Sequence, residues 1–170
     1  MASSSTLVYF GRGNRNPPGL IRRFAQQHGL QPLVVEQEEE VISLLNRSFP
    51  ACLVLDATED SEAILELCAF LKNDAFTSIV PTIVMVNDRG HGVGELPAQA
   101  LQSGADEVVS DLVSDKEKTL RLELVLRRAA RDVNVHPTTR LPGTAQIERD
   151  LAERMAAGGT FAVCYADLDN

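Results

Sequence analysis

Five short apolar runs recur along the first 130 residues, and each is followed by a stretch with helical periodicity. The runs lie at 6–10, 33–35, 51–55, 81–86 and 107–109. Strands that alternate with helices in this way favour a parallel sheet covered by helices on both faces, with right-handed crossovers. The sequence therefore predicts an α/β fold over residues 1–133, with a five-stranded, doubly wound parallel sheet and a long closing helix at 116–133.

The character of the chain changes after Val133. Residues 134–143 contain two prolines and two threonines, which is the composition of a linker. Apolar residues at helical spacing then predict a helix over 145–155, and the apolar run at 161–165 predicts one strand. One helix and one strand bury too little surface to fold alone, so we expect residues 144–170 to be the truncated start of a second domain.

The composition limits the partners of the chain. Its net charge is −8 and its pI is near 4.9, which argues against a nucleic-acid-binding surface, because such surfaces need clustered basic residues. No apolar stretch approaches membrane-spanning length, and the polar start MASSST does not resemble a secretion signal. Cys52, Cys68 and Cys164 lie far apart in apolar contexts, which suits buried free thiols. We therefore expect a cytoplasmic protein.

The third apolar run, 51–55, stops abruptly at Asp56. In open parallel sheets, ligands and reacting groups lie beyond the carboxyl ends of the strands. A carboxylate at the end of a buried strand is therefore a candidate functional group. A polar residue that begins a turn has the same signature.

Three stretches of the first segment resemble the receiver domain of bacterial response regulators, the CheY-like (βα)5 form of the flavodoxin-like fold. CLVLDA resembles the third strand with its phospho-accepting aspartate, and IVPTIVMV resembles the fourth strand with its leading proline. ALQSGADEVVSD resembles the run that ends in Gly-Ala-Asp before the fifth strand. The resemblance implies that Asp56 is the candidate phospho-acceptor and that a histidine kinase is its candidate donor.

The positions that assist the aspartate in receivers have different residues in this chain. An acidic pair that holds Mg²⁺ is replaced by Gly11 and Arg12, a Thr or Ser after the fourth strand by Val86, and a lysine after the fifth strand by Asp111. Phosphoryl transfer to a carboxylate gathers negative charge, which a metal ion, an ammonium and a hydroxyl group normally offset. We therefore expect a degenerate, receiver-derived site that no longer turns over.

Two other interpretations of Asp56 stay open, namely turn chemistry and phosphorylation with Mg²⁺ held by substitute carboxylates. The candidate substitutes are Glu59, Asp60 and Asp88. Arg12 could instead form an ion pair with Asp56 that keeps the site neutral without phosphate. Arg12 and Arg15, near a predicted helix N-terminus, are also candidates for binding an anion or a partner, with a flexible turn as the alternative.

The helix predicted at 116–133 has apolar residues on two sides. Leu122 and Val125 belong to a face that suits packing on the sheet, whereas Leu120 and Leu124 lie on nearly the opposite side. A helix that is apolar on two sides is either deeply buried or meets a partner. Leu120 and Leu124 are therefore candidates for a homodimer contact, with scattered surface leucines as the alternative.

The tail resembles the opening of a GGDEF (diguanylate cyclase) domain. HPTTRLPG, at 136–143, resembles the entry motif of that family and matches it at Thr139, Leu141 and Pro142, and FAVCYADLDN resembles its first core strand. The resemblance places Asp167 on a metal-binding carboxylate, a role that requires an intact GGDEF domain. Because the sequence stops before the signature loop, we expect no enzymatic activity from the chain as given.

These patterns together predict a signalling input module. It would be a pseudo-receiver domain that controls an attached GGDEF output domain, in c-di-GMP signalling, through dimerisation or partner binding. The alternatives are a competent receiver that a histidine kinase phosphorylates on Asp56, and an adaptor that binds a small molecule or a protein. We expect no cofactor, apart from Mg²⁺ if Asp56 accepts a phosphoryl group, and no nucleic-acid or membrane partner.

Overall fold

The structure is a computed structural model in which residues 6–13, 16–74, 77–89, 94–132, 144–158 and 160–164 are described. The chain divides into two compact units, residues 1–129 and 130–170. The predicted linker at 134–143 lies outside the described residues. Each unit is described by itself.

The first unit alternates strands and helices. Its elements are β1 (Thr6–Gly11), α1 (Gly19–Gln27), β2 (Gln31–Val35), α2 (Glu38–Arg47), β3 (Cys52–Asp56), α3 (Ser61–Asn73), β4 (Thr82–Val86), α4 (Glu95–Gln102), β5 (Glu107–Ser110) and α5 (Asp115–Asp132). The strands form one parallel sheet in the order β2-β1-β3-β4-β5. The predicted five-stranded, doubly wound α/β fold is confirmed.

Two apolar layers cover the two faces of this sheet, because alternate residues of each strand point to opposite faces. One layer joins the sheet to α2, α3 and α4 and includes Val41, Leu45, Ile64, Leu67, Leu71 and Leu96. The other layer joins it to α1 and α5 and includes Ile21, Phe24, Leu122 and Val125. Most of these side chains are aliphatic, as expected for a chain without tryptophan.

Two helices begin at positions that differ from the sequence prediction, which places Pro17 and Pro18 in the first turn of one helix and a short helix around Ala98 to Gln102. α1 begins at Gly19, so Pro17 and Pro18 precede the helix instead of occupying its first turn. α4 begins three residues earlier than the predicted Ala98, because Pro97 is tolerated in the first turn of a helix, where its missing N–H is not needed.

The Gly-Ala-Asp run before β5 has a structural role. Gly104 has a φ of 93°, and a Cβ atom there would lie 2.9 Å from the Cβ atom of Lys72. The Lys72 ammonium, itself largely buried, pairs with Asp106 at 2.6 Å and donates to the carbonyl of Ser78 at 2.7 Å. The run therefore ties the end of α4 to the end of α3.

The second unit contains one described helix, α6 (Thr144–Ala156). The strand predicted at 161–165 is wrong for 161–164, since residues 160–164 have no regular secondary structure. A strand needs a neighbour for its backbone N–H and C=O groups, and these residues have none in the described part of the unit. Cys164 is accordingly exposed, whereas Cys52 and Cys68 are buried as expected. No described helix is long and apolar enough to cross a membrane.

Candidate functional site

Asp56 lies at the carboxyl edge of the sheet, on the central strand β3 between β1 and β4. It is the last residue of β3, where it pairs with Gly11 of β1 on one side and Met85 of β4 on the other. Its exposed fraction is only 3%. The prediction that a buried strand ends on this carboxylate is confirmed.

Neutral groups donate hydrogen bonds to both oxygens of the Asp56 carboxylate. The hydroxyl group of Tyr9 donates a short hydrogen bond to Oδ2. Oδ1 accepts from the backbone N–H of Thr58 at 3.0 Å and from its hydroxyl group at 2.6 Å. Both carboxylate oxygens are therefore engaged by groups of the folded chain, and a reacting phosphoryl group would have to displace at least one of these donors.

Tyr9 is a site residue that sequence reasoning missed. It lies in the middle of an apolar run, so the sequence presents it as an ordinary core residue. In the structure its side chain is fully buried within β1. The register of the sheet reveals it: Gly11 pairs with Asp56, and Tyr9, two residues before Gly11, therefore faces the same side of the sheet as Asp56. Burial, together with the hydrogen bond and the negative charge of Asp56, raises the pKa of Tyr9 well above its usual range. The hydroxyl group consequently keeps its proton and remains a donor.

Arg12 follows β1 and forms ion pairs away from Asp56. Its guanidinium lies 2.6 Å from Glu38, in the first turn of α2, and 3.3 Å from Asp60, the N-cap of α3. The hydrogen bond and the charge of Glu38 raise the pKa of Arg12. The predicted ion pair between Arg12 and Asp56 is therefore wrong.

The physical reason is burial. Arg12 stays about half exposed beside two accessible carboxylates, whereas pairing with Asp56 would require the guanidinium to lose its water at a buried site. The two carboxylates also occupy the guanidinium that was a candidate anion-binding group. Arg15, the other candidate, lies outside the described residues.

The remaining receiver-like positions offer neither a hydroxyl nor an ammonium group. Val86 is buried at the end of β4. Asp111, after β5, accepts a hydrogen bond from the backbone N–H of Asp88 at 2.9 Å and pairs with Arg89 at 2.6 Å. Asp111 therefore anchors the segment that follows β4, and this position supplies no positive charge to Asp56.

The substitute carboxylates do not assemble a metal site. Asp60 is paired with Arg12, and Glu59 is exposed. Asp88 is 4% exposed, accepts from the backbone N–H of Gly94 at 2.8 Å through Oδ2, and has no partner for Oδ1 within the described ranges. The part of the chain that the structure describes contains no group of three or more His, Cys, Asp or Glu residues that could hold a metal ion. These residues do not fit a Mg²⁺ site.

The two leucines predicted on the second side of α5 are exposed. Leu120 and Leu124 have exposed fractions of 46% and 38%, whereas Leu122 and Val125 are buried against the sheet. The predicted division of α5 into a core face and an outer apolar face is confirmed. Asp167, the metal-ligand candidate of the tail, lies outside the described residues.

Comparisons with known proteins agree with the fold of the first unit. No family model matches the chain. A stretch of 103 residues is 31% identical to the phosphate regulon transcriptional regulatory protein PhoB of Klebsiella pneumoniae, covering 61% of this chain and 44% of that protein. Among solved structures, the signal receiver domain of a LuxO-type repressor protein from Vibrio parahaemolyticus superposes with a TM-score of 0.58 at 17% identity, covering 74% of this chain and 93% of that one.

The first unit has the CheY-like fold of response-regulator receiver domains. The chain spans less than half the length of the curated PhoB relatives that it matches. A receiver domain of a sensor histidine kinase from Pseudomonas aeruginosa, solved with a magnesium ion in its active-site cleft, also superposes, with a TM-score of 0.56 at 13% identity over 76% of this chain and 100% of that one. The receiver fold is therefore shared with a magnesium-binding neighbour, while the described residues around Asp56 do not fit that ion.

Proposed function

We propose that this receiver domain is a pseudo-receiver, a regulatory domain that works without phosphorylation of Asp56. The observation that supports it best is the engagement of the Asp56 carboxylate by Tyr9 and Thr58 in a buried position. A phosphoryl group on Asp56 would add negative charge where Arg12 is already paired with other carboxylates and where the position after β5 has Asp111, itself paired with Arg89, in place of a lysine. Such charge is costly to bury without a cation.

The regulated output would be a GGDEF domain that follows the receiver in a longer protein, in c-di-GMP signalling. The support is the sequence similarity of 136–143 and 161–170 to the start of that domain, with Asp167 on a metal-binding position. In this proposal the receiver domain itself is regulatory, and any catalysis belongs to the output domain. The receiver would act on the output through contacts rather than through chemistry.

The contact surface in this proposal includes the outer face of α5. Leu120 and Leu124 lie one helical turn apart on this face, and each remains more than a third exposed. Covering them with a second protein surface would remove apolar area from water, which favours association. Homodimerisation, or binding of a partner protein, through α5 would then control the placement of the output domain.

The test of the proposed function is thermal unfolding of the chain with Mg²⁺ and beryllofluoride, a phosphoryl mimic that binds an aspartate together with Mg²⁺. We expect the unfolding midpoint to stay within about 1 °C of the ligand-free value. A ligand present at 100 times its Kd would add about 2.7 kcal/mol, which is several degrees for a domain of this size. A Mg²⁺-dependent rise of that size, absent from the Asp56→Asn variant, would show a competent receiver instead.

A further inference from the structure

The outer face of α5 combines exposed leucines with basic residues that form no ion pair in the described part of the chain. Lys116, Leu120, Leu124 and Arg127 fall within an arc of about 80° on a helix with 3.6 residues per turn. All four are exposed. Within the described ranges, neither Lys116 nor Arg127 forms an ion pair, in contrast to Arg121 of the same helix, which binds Glu107 and Glu117. This basic apolar stripe is unusual in a chain of net charge −8.

A groove between α3 and α4 has the opposite charge. Its volume is about 490 Å³, and it is lined by Ser61, Glu62, Leu65, Glu66, Ala69 and Gln99. Glu62 and Glu66 are exposed, and no ion pair to either is formed by the residues that the structure describes. Leu65 and Ala69 supply an apolar floor, and the small Ala69 lets another backbone approach closely.

We propose that the outer face of α5 in one copy of the chain docks in the α3–α4 groove of a second copy. Leu120 and Leu124, one helical turn apart, match the equal spacing of Leu65 and Ala69. The basic residues of α5, Lys116 and Arg127, then face the acidic residues of the groove, Glu62 and Glu66. This inference rests on the α5 contact of the proposed function, but it does not depend on whether Asp56 is phosphorylated.

Charge decides between this groove and the neighbouring one. A second groove, along α2, is lined by Glu39, Glu40, Ser43, Leu44, Arg47 and Ser48. Arg47 supplies a positive charge within that groove and offsets part of its acidity, so it attracts a basic helix less strongly. The α3–α4 groove has no lysine or arginine among its lining residues. It is therefore the better complement to α5.

The proposed contact joins two different surfaces, so it is heterologous. Such contacts close into rings if the rotation allows and otherwise extend into open chains. A copy that offers its α5 face still has a free groove. Association of the chain should therefore proceed beyond dimers as the protein concentration rises, which a symmetric contact between two α5 helices would not do.

The test is sedimentation velocity on charge-reversed variants of the whole chain over a range of protein concentrations. We expect Glu62→Lys with Glu66→Lys, and separately Lys116→Glu with Arg127→Glu, each to weaken self-association at least about tenfold, since like charges would then face each other. Mixing the two variants should restore association, because every mixed contact again joins opposite charges. The matched control, Glu39→Lys with Glu40→Lys, reverses two exposed charges on α2 and should leave association unchanged.

The other outcomes separate the two proposals. If the groove variant associates like the wild type while Leu120→Ser with Leu124→Ser does not, the α5 contact stands and the groove is the wrong partner. If the mixture of charge-reversed variants stays dissociated, the pairing of these surfaces is wrong. A wild-type chain that remains monomeric at every concentration overturns the groove contact and homodimerisation through α5. Circular dichroism verifies that each variant is folded.

Discussion

Tyr9 and Asp56 form a buried pair in which a neutral hydroxyl group meets a carboxylate. Nothing in a single sequence joins two residues 47 positions apart, so this pair could not be predicted from residue types alone. The position of Asp56 at a strand end was predictable, because a continuous apolar run stops there. The partners of Arg12, at Glu38 and Asp60, also depend on where α2 and α3 begin in space.

The first prediction concerns the hydrogen bond of this pair. Tyr9→Phe leaves Oδ2 of Asp56 without its hydroxyl donor, so we expect the free energy of unfolding to fall by about 1–3 kcal/mol. In an Asp56→Ala background the same change should cost much less, because no acceptor remains. Urea unfolding of the four proteins of this double-mutant cycle measures the coupling. An equal cost of Tyr9→Phe in both backgrounds would show that the hydrogen bond contributes nothing.

The second prediction is a pH dependence. The pKa of Tyr9 is raised in the folded chain, while the unfolded chain has an ordinary value near 10. The unfolded state therefore loses its proton first, and the stabilisation from Tyr9 is complete below about pH 10 and declines above it, by up to about 1.4 kcal/mol per pH unit. Urea unfolding between pH 8 and 11 should show this decline for the wild type relative to Tyr9→Phe. Parallel profiles for the two proteins would contradict it.

Individual helices and strands were predictable wherever apolar residues repeat with a regular period. The first residues of α1 and α4 were harder to predict. The difference in free energy between a proline just before a helix and one inside its first turn is small. The apolar run at 161–164 has the composition of a strand but not its structure. Composition reports how well a segment would fit in a sheet, whereas the hydrogen bonds come from neighbouring strands.

The third prediction belongs to the turn between α4 and β5. Gly104→Ala should destabilise the chain by about 1–2 kcal/mol through its positive φ alone, and further because the new Cβ would clash with Lys72. Gly29→Ala is the matched control, since Gly29 has a φ of 65° and open space around it. Chemical unfolding should therefore show a larger loss at Gly104 than at Gly29. Equal losses would mean that the contact with Lys72 relaxes at no cost.

For the whole molecule, the alternation of elements was sufficient to predict the sheet and its helices. The tail at 144–170 could not be placed from sequence, since one helix and a short apolar run do not define what they pack against. The charge pattern of the surface also emerges only at this scale. Residues of α5 and α3 that are about 50 positions apart in the chain become complementary faces of one folded unit.

The central claim is that Asp56 belongs to a receiver domain that does not accept a phosphoryl group. The most direct measurement is the intact mass of the chain after incubation with acetyl phosphate, with and without Mg²⁺, beside Asp56→Asn. We predict no phosphoryl adduct in any of these samples, because the carboxylate is buried, hydrogen bonded to Tyr9 and Thr58, and has no fitting metal site among the residues that the structure describes. A Mg²⁺-dependent adduct on the wild type that disappears in Asp56→Asn would contradict the account.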